Sequence, residues 1–118
     1  MRWMMLFSVL LILASCKKKQ REGTYSGVEE LHVQTENDTI ISTFNETSTV
    51  QYQAGGKVEY ASSTYSFIVG REDKNKEGYH YDSGAESFSM VFKDDSLIAT
   101  YFKDWLGEQT TRTFRGKK

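Results

Sequence analysis

From residue 25 to residue 53 apolar and polar side chains take turns, and no proline occurs anywhere in the 118-residue chain to interrupt them. Side chains of a β-strand point to opposite faces in succession, so a period of two means one buried and one wet face. In residues 25–35 the odd positions are Tyr25, Gly27, Glu29, Leu31 and Val33, while Ser26, Glu30, His32 and Gln34 take the other face. In residues 39–53 the apolar phase is even: Ile40, Phe44, Val50 and Tyr52. Asn37 and Asp38 lie between the two runs and supply a turn, so the runs are expected to pair as a long hairpin.

The pattern continues. Ala54, Gly55 and Gly56 form a second turn signal. In residues 57–70 the phase changes, from Val58 and Tyr60 to Tyr65, Phe67 and Val69, with a bulge or bend expected at Ala61, Ser62 and Ser63. A charged loop follows over residues 71–78, and a short strand over 79–82. Residues 86–92 point Phe88, Met90 and Phe92 inward. Residues 97–102 are apolar on both faces, which predicts the most buried strand. Residues 109–115 form the last strand, anchored by Phe114.

About seven strands with short connections predict an all-β fold, a sequential antiparallel meander. Curling such a sheet into a small barrel or half-barrel hides its edges. The outline expected resembles the calycins in general shape. A two-layer β-sandwich is the alternative.

The N-terminus carries a different signal. Arg2 precedes an apolar stretch over residues 3–14, and Lys17, Lys18, Lys19 and Arg21 close it. A membrane-spanning helix needs about 20 apolar residues. Twelve suit the core of a secretory signal peptide better than a retained helix. Leu13-Ala14-Ser15-Cys16 then resembles the lipobox of Gram-negative bacterial lipoproteins. The resemblance implies cleavage before Cys16 and acylation of its thiol. Each buried methylene contributes about 0.8 kcal/mol, so two or three chains on one residue fix it to a bilayer. The implied organisation is a signal peptide over residues 1–15, a lipidated cysteine and basic tether over 16–21, and one β domain over 22–118. Cys16 is the only cysteine, so the domain has no disulfide. Acidic residues after the cysteine, which direct some lipoproteins of this type to the cell surface, are replaced here by lysines. The aspartate of inner-membrane retention is also missing. An outer-membrane anchor facing the periplasm is the expected location.

Setting aside Arg2 and the tether leaves ten basic against 16 acidic residues, about −6 for residues 22–118. An acidic domain is a poor nucleic-acid binder.

Residues that could carry chemistry are few. His32 and His80 are far apart in sequence, and a zinc site needs three or four converging ligands, so no metal or cofactor is expected. Glu29 and Glu30 are neighbours in a strand and point to opposite faces, so they cannot act as a carboxylate pair. Glu29 stands out because its phase aims it inward, which suggests a barrel mouth. No serine lies in a nucleophile elbow, and a non-catalytic domain is expected. Among the aromatics, Tyr60, Tyr65, Tyr79, Tyr81 and Tyr101 are the candidate lining of a cavity for a small amphiphile or a glycan, although core packing explains most such rings. The competing expectation is an envelope protein as partner, met through the loops at 71–78 and 103–108. Ser83-Gly84-Ala85 resembles the Ser-Gly-rich loop of small periplasmic lysozyme inhibitors, but the cysteines of that pattern are absent.

Overall fold

A computed structural model describes residues 20–118. The expected signal peptide, the Leu13–Cys16 box and the tether up to residue 19 lie outside the described residues.

Eight strands make up the domain: β1 (Gly23–Gln34), β2 (Thr39–Tyr52), β3 (Val58–Ala61), β4 (Ser66–Val69), β5 (Gly78–Asp82), β6 (Glu86–Lys93), β7 (Ser96–Trp105) and β8 (Glu108–Lys117). They form a single antiparallel sheet in the order β4-β3-β2-β1-β8-β7-β6-β5. The sheet is a meander whose first and last strands pair, from Ser26 opposite Lys117 to Gln34 opposite Gln109. The two outer strands, β4 and β5, approach each other without forming a ladder. The result is a nearly closed barrel with almost no helix, and it excludes the sandwich.

Local chemistry accounts for the connections. The β1–β2 hairpin closes through Thr35 N–H donating to the Asp38 carbonyl at 2.8 Å, while the Asp38 carboxylate accepts from Thr39 N–H at 2.9 Å. Ala54–Gly56 is a 3-10 turn in which both glycines have φ near +80°, a region closed to most residues. The run over residues 57–70 is two strands, not one. The expected bend at residues 61–63 is a full reversal, closed by Ser62 N–H on the Tyr65 carbonyl at 2.9 Å, and this raises the strand number from seven to eight.

Alternation assigns the interior. Tyr25 and Glu29 of β1, Ser48 and Val50 of β2, Val58 and Tyr60 of β3 and Val69 of β4 are buried. So are Tyr79, Phe88, Met90, Leu97, Ala99 and Phe114. Burying each large apolar side chain contributes about 1.5–3 kcal/mol. The expectation that β7 is the most buried strand fails. Ile98 is 39% exposed, because a barrel wall hides only its inner face and β7 obeys the same alternation as the others. Where β1 passes β8, Gly27 faces Gly116, and a Cβ on Gly27 would lie 1.9 Å from the Arg115 carbonyl oxygen. That contact is possible only for glycine, and it lets the two strands close the barrel tightly.

Candidate functional site

The two ends of the barrel differ in chemistry. At the end where β1 starts, Tyr25, Val50, Val58, Val69, Tyr79, Met90 and Leu97 seal the interior. The chain's approach is tied there as well. The Tyr25 hydroxyl donates to the Arg21 carbonyl at 2.6 Å, and the Arg21 guanidinium lies 5.0 Å from the Phe92 ring centre. Lys118 Nζ reaches the Gln20 carbonyl. Gln20 and Arg21, assigned to the tether by sequence, thus contact the barrel.

Towards the other end the interior turns polar. Glu29 is 0% exposed. One carboxylate oxygen accepts from Arg112 Nη1 at 3.3 Å; the other, Oε1, has no partner among the described residues. Burial pushes its pKa up, Arg112 opposes this and the nearby Glu46 adds to it. Arg112, partly exposed, also reaches Thr64 Oγ1 at 3.5 Å and lies 5.9 Å from the Tyr65 ring centre. Both of its polar contacts are long, so it is weakly held. Glu46 accepts from Ser63 Oγ at 2.7 Å.

Tyrosines complete the cluster. The Tyr60 hydroxyl shares a 2.8 Å hydrogen bond with Ser48 Oγ, and burial raises its pKa to about 12. The Tyr65 hydroxyl lies near that of Tyr60 without a well-formed hydrogen bond to any described group, and burial raises its pKa further. Tyr101 donates to Glu86 Oε2 at 2.5 Å, with its pKa raised to about 12, first by burial and then by that carboxylate.

The structure brings four of the five sequence-selected tyrosines into one ring assembly. Tyr65 lies between Tyr60 at 5.5 Å and Tyr101 at 5.1 Å, and Phe67 links Tyr81 at 5.4 Å to Phe88 at 4.7 Å. Tyr79 is elsewhere. It sits at the sealed end near Tyr52, its pKa pushed by burial to about 12. Shallow depressions on the outer wall, such as one of about 600 Å³ lined by Ser26, Val28, Asn45 and Thr47, include none of these tyrosines.

Sequence phase singled out Glu29 but passed over Glu46, Ser48 and Arg112. All three carry the inward phase of their strands: Glu46 and Ser48 stand between Phe44 and Val50, and Arg112 stands two residues before Phe114. The signal was available; polar residues at inward positions simply look like breaks in an apolar pattern. His32 and His80 lie on the outer face, His32 beside Glu30 at 3.4 Å. Among the described residues no three histidine, cysteine or carboxylate side chains gather as a metal site would require.

No protein-family model matches this chain, and no curated protein matches it.

Proposed function

We propose that the domain is a non-catalytic binding module, anchored through acylated Cys16 in a membrane and facing the periplasm, that holds a small amphiphile or a glycan at its polar end. The observation that carries this reading is a pair of buried, poorly satisfied groups in one cluster: Glu29 Oε1, without a partner among the described residues, and the Tyr65 hydroxyl, in no well-formed hydrogen bond there. Buried polar atoms are almost always satisfied, so two poorly satisfied ones in one cluster call for an explanation. A ligand hydroxyl or amine would satisfy them, reaching Glu29 by displacing the weakly held Arg112. Its apolar face would lie on Tyr65 and Tyr101. The carboxylate at the centre pairs with an arginine and no nucleophile, which favours binding over catalysis. The location rests on the lipobox and on the lysines that follow it.

Titration calorimetry of the full chain in detergent tests this, with an alkylammonium and an alkyl glycoside of equal chain length as probes. Binding of at least one is expected, weakened about tenfold or more in Glu29→Gln, the scale of one charge-assisted hydrogen bond. It should also weaken as pH falls through the range where Glu29 takes up a proton. Binding of neither probe, or equal binding by the variant, sinks the reading.

One observation favours a protein partner instead. The β7–β8 hairpin ends in Trp105, 64% exposed, and Leu106, 90% exposed with a left-handed φ of 50°. An apolar residue placed in that conformation at a protruding tip supports contact with an envelope protein or a hydrolase through residues 103–108.

A further inference from the structure

β2 is fourteen residues long, and β3 covers only its last four, Thr49 to Tyr52. The other ten have β1 on one side and, among the described residues, no strand on the other. Alternate residues of an antiparallel strand turn their backbone groups to opposite neighbours. Gln53 N–H bonds the Lys57 carbonyl at 2.8 Å, so odd residues of β2 face the β3 side. The β1–β2 register runs without a bulge, so this parity holds to Thr39. The vacant edge is stoppered at both ends. Thr39 N–H is taken by the Asp38 carboxylate at 2.9 Å, and Thr47 N–H by the Glu46 carboxylate at 3.0 Å. Between the stoppers, Ile41, Thr43 and Asn45 present their N–H and carbonyl groups to the vacant side.

Edge strands are usually protected by lysine, proline, a bulge or a covering loop. Residues 39–45, Thr-Ile-Ile-Ser-Thr-Phe-Asn, contain no charge, no proline and no glycine. They are exposed except for Phe44. We propose that this window takes an added β-strand: an extended, uncharged and β-branched segment of a partner protein, flanked by lysine or arginine. Strand addition of this kind draws affinity from main-chain hydrogen bonds and specificity from alternate side chains. The basic flanks follow from the exposed Asp38 at one end of the window, from the charge of the buried Glu46 beside the other, and from the net charge of about −6 over residues 22–118.

A second copy of this chain fits less well. Antiparallel pairing of two identical edges needs a two-fold axis normal to the sheet, which pairs inward residues with inward ones. Every register that uses the whole window then sets Asp38 of one copy opposite or diagonal to Glu46 of the other, and does so twice. Like charges placed so across a ladder are destabilising.

The test uses the full chain in detergent and synthetic seven-residue peptides of alternating threonine and valine, ended by lysine or by glutamate, on the order of the window's own length. Amide hydrogen exchange is the readout. With the lysine-ended peptide, the amides of Ile41, Thr43 and Asn45 are expected to slow about tenfold or more, while Ser42 and Phe44, already paired to β1, stay unchanged. The glutamate-ended peptide should bind about tenfold more weakly. Thr43→Pro removes one outward N–H that no described group uses, a substitution edge strands tolerate, and should abolish the protection. Exchange at the three amides unchanged by the lysine-ended peptide overturns the proposal. So does equal binding of both peptides. So does protection without peptide that rises with protein concentration and disappears in Thr43→Pro, which would identify a second copy as the occupant.

Discussion

The two ends of this barrel are built from the same strands and do opposite things. At one end, tyrosine, valine, methionine and leucine pack the interior, and residues from both extremities of the described chain are tied across it. At the other, Glu29, Glu46 and Arg112 occupy inward positions that the alternation would give to apolar groups. The apolar end secures the fold. The polar end sacrifices stability, since a buried carboxylate with one poorly satisfied oxygen is costly, a cost that the proposed ligand would repay.

The comparison can be broken by a matched pair of truncations. Leu97→Ala at the sealed end should lower unfolding free energy by about 2–5 kcal/mol, and Leu31→Ala, half-buried on the inner face beyond Glu29, by about 1 kcal/mol or less, both read from urea denaturation. Equal losses would mean that the two ends share the load. A smaller effect sharpens the polar side. Arg112→Leu leaves Glu29 without its cation and should cost about 1–3 kcal/mol at neutral pH. Because protonation removes the uncompensated charge, the loss should shrink as the solution is acidified towards pH ~4, near the ordinary glutamate value.

The smallest effect concerns slope more than size. Glu29 has a raised pKa in the folded chain, so the unfolded chain loses this proton first as pH rises. Glu29 therefore opposes folding above its ordinary range, and its contribution should fall between that range and the raised value. In Glu29→Gln this part of the pH dependence should vanish, while the part set by other carboxylates remains. An unchanged profile would show that Glu29 titrates as if exposed.

Much of the fold is legible in the residues, and the reason is geometric. A strict period of two leaves little freedom, and Asn37-Asp38, Ala54-Gly55-Gly56 and Ser83-Gly84 mark reversals directly. The split of residues 57–70 into β3 and β4 was half legible: the phase change showed a break, but nothing local distinguishes a bulge from a reversal. Of the polar end, the tyrosines and Glu29 were visible, but not the other charged groups; Glu29 showed because it interrupts an otherwise regular odd phase. Its partner Arg112 lies 83 residues away and meets it only when β8 closes against β1. The vacant edge of β2 was hidden for a related reason. It depends on how short β3 is relative to β2, a property of pairing between strands that no single run of residues displays.

The pairing of β1 with β8 has one more effect, on what happens when synthesis goes wrong. A product cut short before β8 would not merely lack one stave of the wall. It would strip a neighbour from β1 and from β7 at once, doubling the raw margin available for clumping.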